Sequence, residues 1–329
     1  MDSFAYGRAA NIEDALTEVD GPNMAFLAGG TELLNWLRLG IAKPARVIDL
    51  MQLKGLADIV RLSGGGLRIG TLARLNDVAL NDDVVRNYPV LSEAILKSAS
   101  AQLRNLATIG GNPLQKTRCG YFRAEEILPC NKRKPGSGCS ALNGINDKHA
   151  IFGWSEACVA TQPSDPATAL AALDAIYVTA HRDGGRRIKA EDLHTLPGDT
   201  PHIENTLRHG ELILGVELAA AARHSAYLKL RERESYEYAI VSAAVALDLE
   251  GDRISRARIA LGSVAHKPWR LAQAERLLVG ISASDSAAIR KALDASFGDA
   301  KPLMHNTYKI TLAKNATERA IRLAARASS

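Results

Sequence analysis

The sequence predicts an α+β fold, and three observations carry the prediction. In the last third of the chain strands come first and helices follow, instead of alternating. Two Gly-Gly turns punctuate the first half, with no G-x-G-x-x-G fingerprint. All four cysteines, Cys119, Cys130, Cys139 and Cys158, fall in one stretch with no helical or strand period. A chain of 329 residues with 47% hydrophobic content has room for two domains or more, each with a proper core.

The elements follow in order. Residues 4–6 read as a short strand, and Asn11 caps a helix running through Glu18, with Asp14 at its third position. Residues 24–28 form an apolar strand that Gly29, Gly30 and Thr31 interrupt. A helix over 32–39 ends at Gly40, and 46–50 is a strand. Strand, Gly-Gly-Thr and helix in that order resemble a phosphate-binding turn, since glycines let a backbone approach an oxyanion. A second block starts near Leu56, with a strand at 66–70 and a long helix at 88–105. That helix runs into the second turn, Ala107-Thr108-Ile109-Gly110-Gly111-Asn112. Beyond the cysteines, Ser164 or Asp165 caps an apolar helix over 167–173, and strands follow at 176–180 and 212–218. Two glycine turns and an Asp-capped helix suggest a dinucleotide held outside a Rossmann frame. The third block is a three-stranded meander (226–231, 239–249, 254–264) and three helices (268–279, 285–297, 312–327). The last helix carries Arg319, Arg322 and Arg326 on a solvated or partner-facing side.

Four thiols on one loop are what a four-thiolate metal site or a [4Fe-4S] cluster requires. Their spacings, with ten, eight and eighteen residues between, match neither a zinc ribbon nor a ferredoxin run. Spacing thus indicates a soft-metal site and leaves the metal open. Two disulfides are the alternative, although a chain of this length does not need them to make up for a small core. His149, His194, His202, His209 and His266 have no paired spacing and read as surface or structural residues.

Composition excludes other classes. A net charge of +5 with no basic run, and 5% aromatics, give no nucleic-acid footprint. No segment approaches the roughly 18 apolar residues of a membrane helix. The opening residues lack the basic and apolar regions of a secretory signal.

FLAGGTELL (26–34), ATIGGN (107–112), PSDPATALAALDA (163–175) and YLKLRERESYEYAIVSAAVAL (227–247) carry a resemblance that spans nearly the whole chain. They resemble the flavoprotein subunit of the molybdenum hydroxylases, among them xanthine dehydrogenase, carbon monoxide dehydrogenase and aldehyde oxidoreductases. KTRCGYF, PCNKRKPGSGC, SEACVATQPSD and GSVAHKPWR sharpen it. They are similar to FAD-binding subunits of bacterial periplasmic aldehyde oxidoreductases, in which an inserted loop carries a [4Fe-4S] cluster.

The resemblance implies a two-subdomain FAD-binding fold of the vanillyl-alcohol-oxidase type over residues 1–224. Its subdomains would be about 1–55 and 56–224, with the iron–sulfur insertion at about 115–160. A C-terminal α+β domain, a three-stranded sheet with helices, would cover 225–329. Ala28, Gly29, Gly30, Thr31, Glu32 and Leu33 would wrap the FAD pyrophosphate, with Phe26 and Leu27 also among the cofactor-binding residues. Thr108, Gly111 and Asn112 would bind the phosphate and ribityl region, and Asp165 the cofactor's polar chain. Ile213 would lie near the isoalloxazine and Lys229 at its edge, where a cation favours the reduced anion. Cys119, Cys130, Cys139 and Cys158 would hold the cluster. The resemblance places no catalytic residue on this chain. Its partners would be a large molybdopterin-binding subunit, a small [2Fe-2S] subunit and an external electron acceptor. With no signal of its own, the chain would reach the periplasm with a twin-arginine-bearing partner, or stay in the cytoplasm. The alternatives are the flavin subunit of a xanthine dehydrogenase or hydroxybenzoyl-CoA reductase type of enzyme, a standalone FAD oxidase, and a zinc-stapled binding protein.

Overall fold

Asn11 caps the first helix as predicted: its Oδ1 accepts from the Asp14 N–H at 2.9 Å. A computed structural model describes residues 1–19, 21 and 23–327. The first subdomain runs β1 (Ala5–Arg8), α1 (Ile12–Glu18), β2 (Met24–Leu27), α2 (Leu33–Arg38) and β3 (Arg46–Asp49). Its strands pair in parallel in the order β1-β3-β2. Ala15, Ile48 and Leu50 sit in its small core.

The second subdomain begins with β4 (Ile59–Arg61) and β5 (Leu67–Gly70). Helices α3 (Leu75–Leu80), α4 (Asp82–Asn87), α5 (Pro89–Leu96) and α6 (Ala101–Arg104) follow, then α7 (Gly120–Arg123) and α8 (Asp165–Ala172). It closes with β6 (Ile176–Ala180), β7 (Arg187–Lys189), α9 (Ala190–Leu193) and β8 (Leu212–Leu218). Its sheet is antiparallel, in the order β4-β5-β8-β6-β7. The third part comprises β9 (Ser225–Leu230), β10 (Val241–Glu250), β11 (Arg253–Gly262), β12 (Trp269–Arg270), α10 (Ala272–Leu277), α11 (Ser286–Ser296) and α12 (Tyr308–Arg326).

The fold is therefore α+β, and α5 and α8 form a layer between two sheets. Every residue of α8 is buried. One core joins Leu67, Ile69, Tyr177 and Val216 of the five-stranded sheet to Ala244, Ala246 and Ala260 of the four-stranded one. The alternate residues Ala243, Val245 and Leu247 face α10, α11 and α12, as the period of two in a strand requires. Along α12, Ala313, Ala316, Ala320 and Ala324 repeat at three and four residues and bury one stripe.

Two expectations need correction. The helix predicted over 88–105 is two helices. Pro89 lacks an N–H and starts α5. Ala99 then turns left-handed at φ +44°, and Ser100 caps α6 through Oγ, 3.3 Å from the Leu103 N–H. The third-domain sheet has four strands, because Trp269 and Arg270 pair with Leu261 and Ala260. The helix expected from residue 268 consequently starts at Ala272. Of the two caps the sequence offers for α8, Ser164 is the one used: its Oγ accepts from the Ala167 N–H at 3.0 Å. Arg319 and Arg326 are exposed as expected, whereas Arg322 ion-pairs with Glu318 and reaches Ser286 on α11.

Candidate functional site

The two glycine turns form the floor of a cleft of about 1350 Å³, larger than the roughly 300–1,000 Å³ of an ordinary small-molecule pocket. Gly29 must lack a side chain: a Cβ there would lie 1.9 Å from the Leu106 carbonyl oxygen. Gly30 sits at φ +70°, a region a β-branched residue adopts only under strain. The first turn is thus pressed against the start of the second, and the cleft opens above both.

Of the sequence-predicted residues, Phe26, Ala28, Gly29, Gly30, Thr31, Glu32, Leu33, Thr108, Gly111, Asn112, Asp165, Ile213 and Lys229 all line this cleft. Leu27 is the exception. Its side chain packs under Gly30, with Cδ1 3.5 Å from where a Cβ would be. Within the second turn Thr108 Oγ1 accepts from the Gly111 N–H at 3.3 Å, and Asn112 Oδ1 accepts from Ser164 Oγ at 2.5 Å. The second turn is thereby fixed to the start of α8.

Asp165 and Lys229 meet in a buried pair, Nζ to Oδ2 at 2.7 Å. Tyr227 donates its hydroxyl to Asp165 Oδ1 at 2.5 Å, and Lys229 also donates to the Lys97 carbonyl at 3.0 Å. That carbonyl is available because the chain leaves α5 there. Burial pushes the Asp165 carboxyl up, against the opposing pull of Lys229 and the Tyr227 hydroxyl. An ammonium has three N–H groups; two are used inside the protein, and the side chain reaches the cleft wall. Asp165 thus acts by holding Lys229 in place.

Glu32 plays a similar part at the mouth. Its carboxylate accepts from Trp36 Nε1 at 2.7 Å, Arg118 Nη2 at 2.7 Å and Arg123 Nη2 at 2.5 Å. Burial alone would raise its pKa, but the two guanidinium groups hold it below the usual carboxylate range. Arg118 also lies 4.5 Å over the Tyr238 ring, a cation–π contact that ties the insertion to the third domain. Sequence reasoning missed Lys116, Arg118, Arg123 and Tyr238. The one signal was the K-x-R spacing just after the second glycine turn.

The four cysteines are free thiols gathered in the insertion. Cys130 and Cys139 face each other across an antiparallel bridge. Cys139 and Cys158 are hydrogen-bonded, and Cys119 feels the charge of Cys130 and Cys139. Backbone N–H groups point at the sulfurs: Tyr121 and Phe122 at Cys119, Ala141, Leu142 and Val159 at Cys139, Ala160 at Cys158. Burial pushes Cys119 up to about 11. The hydrogen bond from Cys158 draws Cys139 down to about 6, while Cys158 keeps its proton and is raised. A small apolar core of Ala141, Val159 and Leu303 backs Cys119 and Cys139. Among the described residues no three His, Cys, Asp or Glu side chains close on one point as ligands of a single ion do. Soft thiols, burial and inward N–H groups are surroundings of the kind that iron–sulfur clusters take. His149 lies in the same place, its Nε2 3.2 Å from Cys119 Sγ, and both residues line the cleft. Burial, and then the nearby Lys309 ammonium, push His149 down to about 4. His194 and His266 are buried structural residues, while His209 bonds the carbonyls of Val19 and Gly21.

A large cleft floored by two glycine turns, with a buried lysine on its wall, suits an extended polar cofactor such as a dinucleotide. The family described as the FAD binding domain in molybdopterin dehydrogenase matches residues 2–220, and the CO dehydrogenase flavoprotein C-terminal domain matches 225–324. The chain belongs to this family of flavoproteins, and it is an FAD-binding oxidoreductase subunit of the molybdenum hydroxylases. It is 45% identical to the aldehyde oxidoreductase FAD-binding subunit PaoB of Escherichia coli K12, over 95% of this chain and 96% of that protein. It is 27% identical to the glyceraldehyde dehydrogenase medium chain of Sulfolobus acidocaldarius, over 86% of this chain and 83% of that one. Its fold matches reconstituted CO dehydrogenase from Oligotropha carboxidovorans at a TM-score of 0.78 and 24% identity, covering 99% of each chain.

Proposed function

We propose that the chain is the FAD- and [4Fe-4S]-containing electron-transfer subunit of a heterotrimeric molybdenum aldehyde oxidoreductase. The observation that carries this reading is that Cys119 and His149 line the cleft that also holds the two glycine turns and Lys229. A cluster in the insertion would stand at the wall of the flavin site. Full-length similarity to an aldehyde oxidoreductase FAD-binding subunit supports the substrate class.

The aldehyde would be oxidised on a large molybdopterin-binding partner, water supplying the oxygen and two electrons leaving. A small [2Fe-2S] partner would pass those electrons to this chain, which would hand them to an external acceptor. When bound, FAD takes up electrons singly and releases them singly or in pairs. The residues of the chain prepare its place. Gly29, which lets the two turns pack together, and Gly30, which takes the left-handed conformation, would shape the turn that receives the pyrophosphate. Thr108 and Asn112 would meet the phosphate and ribityl region, and Ile213 would pack near the ring. Lys229, fixed by Asp165, would put a positive charge at the ring edge and favour the reduced anion. Cys119, Cys130, Cys139 and Cys158 would ligate the cluster.

We place the assembled complex in the periplasm, exported folded by a partner with a twin-arginine signal, because cofactors are best inserted before export. The test is purification with and without the native partners, followed by cell fractionation and an aldehyde panel. The complex should oxidise aldehydes and appear in the periplasm, while the lone chain does neither. Aldehyde turnover by the lone chain would overturn the division of labour. Periplasmic accumulation of the lone chain would overturn the co-export.

A further inference from the structure

We propose that His149 donates its Nε2–H to the Cys119 sulfur when that sulfur ligates iron, and that this bond sets the reduction potential of the cluster. The inference rests on reading the four cysteines as a cluster site.

The geometry carries it. Nε2 is 3.2 Å from Sγ, and the ring is buried. A thiolate bonded to iron has no proton to give, so the contact is satisfied only with the hydrogen on Nε2. Nδ1 is buried without a hydrogen bond of good geometry, its remaining contact being a weak one with the Asn146 backbone. A hydrogen placed on Nδ1 alone would turn a lone pair of Nε2 toward an electron-rich sulfur.

The backbone of His149 is held from the third domain. Lys309, buried in the first turn of α12, donates to the carbonyls of His149 at 2.8 Å, Lys148 at 3.2 Å and Ser263 at 2.6 Å. Asn306 Nδ2 donates to the carbonyls of His149 and Ala150, both at 3.1 Å. Lys309 and Asn306 are thus positioning residues for a ring that faces Cys119. Lys309 has no carboxylate among its hydrogen-bond acceptors, so its ammonium serves to fix three carbonyls.

Hydrogen bonds to cluster sulfurs tune potential. Reduction adds negative charge to the cluster and its thiolates, so an N–H donor favours the reduced form and raises the potential. The backbone donors at Cys119 cannot be removed by substitution, but the His149 donor can.

The experiment uses the purified full chain. Iron and acid-labile sulfide are assayed first in the wild type, and a chain with neither sinks the cluster reading itself and this inference with it. Redox titrations followed by electron paramagnetic resonance then compare wild type, His149→Leu and His149→Gln. The Leu variant should shift the cluster negative by about tenfold in the one-electron equilibrium constant, about 59 mV. The Gln variant, which keeps a donor, should lie between. Equal cluster potentials in all three would overturn the proposal. If the Leu variant loses its cluster, the wild type decides. Electron–nuclear double resonance on the reduced, ¹⁵N-histidine-labelled chain should show an exchangeable proton and a weak nitrogen coupling. No coupling would overturn the bond, and a strong one would make His149 a ligand instead of a donor.

Discussion

Lys229 illustrates how single residues make the cleft. Its ammonium is buried against Asp165, and removing one partner of a buried pair leaves an uncompensated charge. Lys229→Met should therefore cost about 3–5 kcal/mol, read by urea unfolding of the flavin-loaded chain. Adding Asp165→Asn should recover much of that loss, since the pair is then removed together; no recovery would mean that the pair is not coupled. Gly30→Val should abolish flavin retention on gel filtration, because φ +70° strains a β-branched residue and its side chain would press on Leu27 and Leu34 and distort the turn. Full flavin occupancy would show that the turn is not the phosphate site. The glycines were legible in the sequence because only their spacing mattered. Glu32 and Asp165 were legible as cleft residues, but their ion-pair partners were not. Which charge each would face depends on Arg118, Arg123 and Lys229, far away along the chain.

At the scale of elements, local signals were read well and non-local ones poorly. Asn11 was visible as a cap because its partner, Asp14, is three residues away. Asn11→Ala should cost about 1 kcal/mol in chemical denaturation, without changing flavin content. A loss near zero would show that Asp14, which itself accepts from the Ala10 N–H at 2.7 Å, holds the turn unaided. The break between α5 and α6 was invisible, since Ala99 gives no sign of a left-handed residue. The break persists because its carbonyls are used elsewhere: Arg104 Nη1 bonds the Ser98 carbonyl at 2.8 Å, and Lys229 bonds that of Lys97. Strand β12 escaped notice because two residues carry no alternation. The cysteine stretch was correctly read as loop, apart from the single turn of α7. Its fold comes from contacts such as Trp154 Nε1 to the Lys301 carbonyl at 2.7 Å, which no local pattern records.

For the whole molecule, buried neutral histidines set the acid limit of stability. Burial pushes His194 down to about 4, with Glu204 opposing and Lys267 assisting. Its Nε2 lies 2.7 Å from the Pro113 carbonyl, which joins the second glycine turn to α9. The unfolded chain binds that proton near pH 6.5, while the folded chain binds it only near pH 4. Stability is therefore fully present above about pH 6.5 and falls as the pH drops toward 4. Between pH 7 and 5 the loss from His194 should be on the order of 2 kcal/mol, and His266 is lowered in the same direction. Urea midpoints across that range should fall for the wild type and fall less for His194→Gln. Parallel curves would remove His194 from the account.

The central claim is that one chain carries both a flavin and an iron–sulfur cluster on either side of a shared wall. The most direct measurement is a joint assay of FAD, iron, acid-labile sulfide and zinc in the purified full chain, with its visible spectrum. About one FAD with about four iron and four sulfide per chain is expected, with flavin bands above a broad iron–sulfur absorption. Flavin with stoichiometric zinc and no iron, or flavin with the four cysteines paired as disulfides, would contradict it.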